Sequence, residues 1–146
     1  MKASDVLKAN RQTLATCIPE ESIVSFATRL SSLHIGAMPV VDAHGALVGI
    51  LSERDIVRAF PKDGARLVER RVRDLMVRDV VTCGPDASMS DAEKLMAKHH
   101  IRHLPVVEEA KVVGMLSIRD VMVWRLRDSR EEVKVLREAM ITTRHV

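Results

Sequence analysis

Apolar positions along the chain follow two spacings, and each spacing occurs twice. Ile23, Phe26, Leu30 and Leu33 recur every three or four residues, as one face of a helix does, and Ser22 just ahead is a natural N-cap. Met89, Ala92, Met96 and His99 repeat that spacing behind Ser88. A short apolar strand ending in Pro-Val-Val follows each helix, at 39–41 and at 105–107. A turn then leads to a second strand, Leu47 to Leu51 or Val112 to Leu116. The turn is Ala43-His44-Gly45 in the first case and Glu108-Glu109-Ala110 in the second. Another helix opens at Ser52 or Ser117, and short extended pieces, Leu14 to Ile18 and Val80 to Cys83, precede each set. The pattern predicts strand–helix–strand–strand–helix, twice over.

The two sets are related in sequence as well as in pattern. Shifted by 66 residues, Thr16, Cys17, Pro19, Ser22, His34, Ile35 and Pro39-Val40-Val41 meet identical residues. One extra residue near Gly45 makes the shift 65, and Val48-Gly49, Leu51-Ser52 and Arg54-Asp55 then match, giving fifteen identities. A unit of about 60 residues buries too little surface to be stable alone. The expected fold class is therefore α/β (α+β): two pseudo-symmetric repeats packed face to face, with a C-terminal helix. The expected organisation is repeat one over 4–60, a linker over 61–71 opening with Pro61-Lys62-Asp63-Gly64, repeat two over 72–125, and a tail over 126–146. In the tail, Val133, Leu136 and Met140 share a helical face that calls for a partner surface.

Composition narrows the class. Hydrophobic residues are 47% and charged residues 29%, so a packed globular core is expected, and with 2% aromatics it must be aliphatic. No apolar run approaches the roughly 20 residues of a membrane span, and no signal peptide is apparent, so a cytoplasmic location is expected. The net charge of +3 is partly local, in Arg66, Arg70, Arg71, Arg73 and Arg78, but Glu69, Asp74 and Asp79 interrupt the run. That reads as a solvated mixed-charge face rather than a nucleic-acid footprint. Cys17 and Cys83 make no disulfide framework and read as small buried thiols; a redox role would need exposure and a lowered thiol pKa.

Candidate chemistry lies where the second strand of each repeat gives way to a helix. Gly49, Ser52, Arg54 and Asp55 recur as Gly114, Ser117, Arg119 and Asp120. A helix start offers amide donors to a phosphate, Ser adds a hydroxyl and Arg a cation. Asp, one turn on, can accept two hydrogen bonds from a vicinal diol. The same Ser-x-x-Asp is also a capping box, and the residues alone leave both readings open. His99, His100 and His103 do not form a metal set, because the strand beginning near Ile101 spoils helical spacing, and no metal is expected. Arg102 and His103 stand where the first repeat has Gly36 and Ala37, so two clefts of different size and charge are expected.

An aliphatic residue, two variable ones, another aliphatic residue and Pro-Val-Val, then a turn and Val-Gly-x-Leu-Ser-x-Arg-Asp, together resemble the CBS domain. The resemblance covers Ile35 to Asp55 and Ile101 to Asp120 in its motifs and Ser4 to Arg125 in extent. It implies a pseudo-two-fold module with two clefts for adenosine-containing molecules. Ser52 and Ser117 would meet phosphate, with Arg54 and Arg119 beside them, and Asp55 and Asp120 would hold ribose hydroxyls. Gly36, Ala37, Met38 and Pro39, and Arg102, His103, Leu104 and Pro105, would line the adenine, with Thr16 and Thr82 alongside. AMP is the ligand expected first, ahead of NAD(H), ADP, ATP and S-adenosylmethionine. The resemblance further implies a regulatory protein rather than an enzyme, a homodimer, and an unidentified regulated partner. The alternatives are a purine-nucleotide enzyme and a nucleic-acid-binding regulator. Inosine monophosphate dehydrogenase carries such pairs, but its catalytic barrel needs about 250 residues.

Overall fold

The computed structural model describes residues 1–11 and 13–143. Each repeat is built on an antiparallel hairpin: β1 (Ala37–Val41) with β2 (Leu47–Ser52), and β3 (His103–Glu108) with β4 (Lys111–Ser117). The expected extended pieces ahead of the helices shrink to single bridges, Cys17 with Val40 and Cys83 with Val106, both parallel. Ala46 bridges to Lys111 and links the two hairpins. The hairpin turns differ. Gly45 takes up the left-handed backbone of the first, at φ 79°, whereas in the second Glu109 and Ala110 adopt it without a glycine, at φ 51° and 65°.

Helices α2 (Ile23–Leu33) and α5 (Met89–His99) start at the serines that the pattern marked. Ser22 Oγ accepts the Ser25 amide at 3.1 Å, and Ser88 Oγ accepts that of Asp91 at 3.0 Å. Ile23, Phe26 and Leu30 are buried, as are Met89, Ala92 and Met96. Leu33 and His99 are not: both are exposed. Each ends its helix immediately before a histidine cap in left-handed backbone, His34 or His100, both at φ 53°, and the chain turns away before that last position can pack.

Pattern reading missed two helices that cross between the halves. Helix α1 (Ala3–Asn10) precedes the first repeat but packs on the second. Ala3 and Val6 share a core with Met89, Met96, Leu104, Val106 and Leu116. The Ala3 amide donates to the Ala87 carbonyl and that of Met89 to the Met1 carbonyl. Helix α4 (Val72–Leu75) precedes the second repeat but packs on the first, with Val72 in the core of Phe26, Met38, Val40 and Leu51. Both open with a basic residue whose amide donates to an Asp three on, Lys2 to Asp5 and Arg71 to Asp74.

The segment expected as a linker is mostly helical. Helix α3 (Glu53–Asp63) runs through Pro61, and a 3-10 turn follows over Gly64–Glu69. An ion pair of Asp63 with Arg70 at 3.2 Å closes it. Helix α6 (Ile118–Thr143) fuses the last helix of the second repeat to the tail in one rod of 26 residues, about 39 Å long. Its outer half finds no cover among the described residues: Val133, Leu136 and Met140 are all exposed. Residues 144–146 of the expected tail lie outside the described residues.

Candidate functional site

The hairpins end where the helices α3 and α6 begin, and the backbone there is tied down symmetrically. The Glu53 amide donates to the Gly36 carbonyl at 2.9 Å, and the Ile118 amide to the Arg102 carbonyl at 2.8 Å. Each helix start therefore rests on the residue just ahead of the neighbouring strand. Ser52 is the N-cap of α3. Its amide donates to Asp55 Oδ2 at 2.8 Å, its hydroxyl donates to the same oxygen at 2.9 Å, and the Asp55 amide returns to Ser52 Oγ at 3.4 Å. Ser117 and Asp120 repeat this at 2.7, 3.1 and 3.3 Å.

The capping box is thus present in both copies, and it uses only one oxygen of each aspartate. A carboxylate has about four acceptor positions, so the cap leaves the other oxygen able to accept. At Asp55, no donor among the described residues is hydrogen-bonded to Oδ1. At Asp120, Oδ1 accepts from Asn10 Nδ2 at 2.9 Å. Asp55 and Asp120 are half-buried, while Arg54 and Arg119 are exposed, each at the start of its helix.

The glycines of the two motifs lie against the chain itself. A Cβ on Gly114 would lie 2.4 Å from Leu7 Cδ1, and one on Gly49 would lie 2.9 Å from Met76 Sδ. The close approach that these glycines permit is taken by the chain's own α1 and by Met76, the residue after α4, rather than left for a ligand. Met38 and Leu104 are fully buried in the two cores, so only their backbone can line a cleft. Ala37, Pro39 and Pro105 are buried as well.

Gly36 and His103 are brought together across the pseudo-two-fold. A Cβ on Gly36 would stand 3.3 Å from both His103 Cε1 and Glu53 Oε1. The small residue of one repeat thus receives the large one of the other, beside a carboxylate that pattern reading did not single out. Burial pushes the His103 imidazole below its usual pKa; Glu53 and Asp120 oppose this and Arg102 adds to it. Thr16 and Thr82 are half-buried, and the Thr16 carbonyl accepts from Arg29 Nη2 at 2.7 Å. Arg29 also meets Glu21 at 2.8 Å. Burial, with Glu21 adding and Arg29 opposing, pushes the Cys17 thiol up to about 12, and burial alone raises that of Cys83. Neither thiol has the lowered pKa of a reactive cysteine.

Asn10 was also missed. Its helix has a counterpart in α4, but at an offset of 69 rather than 66: Lys2, Asp5 and Leu7 match Arg71, Asp74 and Met76. His99 and His103, weighed as a metal pair, part company at the end of α5 and the start of β3.

A family model described as the CBS domain matches residues 3–62 and again 72–127. The chain is 36% identical over 110 residues to the CBS domain-containing protein YhcV of Bacillus subtilis, covering 75% of this chain and 77% of that one. It is 37% identical over 108 residues to inosine-5'-monophosphate dehydrogenase of Korarchaeum cryptofilum, but the match covers 21% of that enzyme. Among solved structures, the CBS-domain containing protein ATU1752 from Agrobacterium tumefaciens superimposes with a TM-score of 0.81 at 33% identity, over 86% of this chain and 99% of that one. The CBS domain pair of protein MJ0100, solved with 5'-methylthioadenosine and S-adenosyl-L-methionine, gives 0.76 at 28% identity, over 89% and 98%.

Proposed function

Since the chain belongs to the CBS-domain family and carries the domain twice, we propose that it is a regulatory module that reports the level of an adenosine-containing molecule. The observation that carries this reading is the doubled Gly-x-x-Ser-x-x-Asp, each aspartate capping its helix through one oxygen, the other being without a donor among the described residues at Asp55 and bonded by Asn10 at Asp120. A ribose diol supplies such donors. The helix starts behind Ser52 and Ser117 suit the phosphate, with Arg54 and Arg119 reaching it from solvent. AMP fits this set first, as one phosphate, one diol and one base. The ligands in the MJ0100 structure support an adenosine compound in general.

The proposed module is cytoplasmic, non-catalytic and homodimeric, and passes its state to a regulated protein. The second copy is the partner that suits the uncovered face of α6. The match to a dehydrogenase spans about a fifth of that enzyme. No helix among the described residues is long and apolar enough to cross a membrane.

Titration with AMP tests the reading. Asp55→Asn and Asp120→Asn should each weaken one site by about 1.5–3 kcal/mol, roughly 10- to 150-fold, with the capping geometry kept. Equal affinity in wild type and in the double variant would refute it, as would the absence of any adenosine compound, by mass spectrometry, from the denatured protein together with no AMP binding.

A further inference from the structure

The two halves differ at one acceptor. Helix α1 runs on to Asn10 after its Leu7 contact with Gly114, and Asn10 Nδ2 donates to Asp120 Oδ1. Its counterpart α4 is a single turn that ends at Leu75. The chain then leaves as a bridge from Val77 to Ile50, and the residue in register with Asn10 at the offset of 69 is Asp79, which has no side-chain proton to donate at neutral pH. Among the described residues, the oxygen proposed to accept a diol is thus already taken in one repeat and not in the other. Residues 1–4, at the start of the helix that delivers Asn10, make three backbone hydrogen bonds to the 85–89 segment, so the helix is anchored by the chain itself.

We infer that Asn10 is a built-in competitor for Asp120 and makes the two sites unequal: a nucleoside diol fills the site of Asp55 first, and must displace or share Asn10 to fill that of Asp120. This rests on the proposed adenosine-binding role and adds an order of occupancy to it. Displacement also gives the second event a mechanical output, since it frees the end of α1 from α6.

The test isolates each site. In an Asp55→Asn background the remaining AMP binding belongs to Asp120. Adding Asn10→Ala there should tighten AMP roughly three- to tenfold, the net worth of one solvent-exposed hydrogen bond removed from competition. The same change in an Asp120→Asn background should leave affinity unaltered. With 2′,3′-dideoxy-AMP the gain should vanish, because no hydroxyl is there to use the vacated oxygen. Unchanged or weaker AMP binding in the Asp55→Asn/Asn10→Ala protein overturns the inference while leaving the adenosine reading intact. If the wild type binds neither AMP nor S-adenosylmethionine, the adenosine reading itself falls, and this inference with it.

Discussion

Leu7 occupies the space that a side chain at position 114 would need, with its Cδ1 2.4 Å from where that Cβ would stand. The contact joins the first helix of the chain to a strand more than a hundred residues later. Gly114→Ala should therefore cost about 1–3 kcal/mol of stability by overpacking. Combining it with Leu7→Ala should cost clearly less than the sum of the two single changes. Additive denaturant midpoints would show that α1 does not press on β4.

The turn at Glu109 and Ala110 holds two residues with side chains in left-handed backbone, which costs each roughly 1 kcal/mol. Replacing the pair by Asn-Gly, the preferred residues for a two-residue hairpin turn of this kind, should raise stability by about 1 kcal/mol. Thermal melting reads this directly, and an unchanged or lower midpoint counts against the turn described.

His103 makes stability depend on pH. Its folded pKa lies below the 6.5 of an unfolded histidine, because burial outweighs the pull of Glu53 and Asp120. Over the window from 6.5 down to the folded value, the unfolded chain binds the proton and the native one does not. Stability is therefore full above 6.5 and declines as the pH falls through that window. His103→Gln should flatten this decline. A steeper or unchanged slope in the variant would mean that His103 is not held neutral in the fold.

Cys17 should be inert in the native protein. With its thiol pushed up to about 12 it carries almost no thiolate at pH 8. A colorimetric disulfide reagent should label Cys17 only as the protein unfolds, and Cys83 more slowly than a free thiol. Fast labelling of Cys17 under native conditions would contradict its burial.

The outer half of α6 predicts a second copy. Leu126, Val133, Leu136 and Met140 are exposed at spacings that keep them on one face. Light scattering should give twice the 16.3 kDa of one chain, and Leu136→Glu with Met140→Glu should reduce it. A wild-type monomer at all micromolar concentrations removes the dimer.

What the sequence made legible was local. Ser22 and Ser88 announced their helices, and Pro-Val-Val announced the strands, because caps and apolar spacing act over a few residues. What stayed hidden was long-range. Asn10 and Asp120 are 110 residues apart, and no periodicity links them. The repeat itself concealed α1 and α4, whose offset differs from that of the hairpins. The capping role of Ser-x-x-Asp became visible only in three dimensions, where Oδ2 of each aspartate closes the box. Leu33 and His99 show the limit of spacing as a guide: each fits the face, but the chain turns before either can use it.

The exchange of α1 and α4 means that order along the chain is not order in space. A fragment cut at residue 60 would leave Phe26 and Leu51 without Val72, and would carry α1 away from Met89 and Leu116. The severable unit is staggered, running from just after Asn10 to Met76, and its complement needs both ends of the polypeptide. A circular permutant that joins the C-terminal half to Met1 and opens near Thr13 would keep every core contact, whereas halves split at the apparent repeat boundary would each be missing a wall. The two copies are laced rather than stacked, so force or proteolysis at the N-terminus would be felt first by the second repeat.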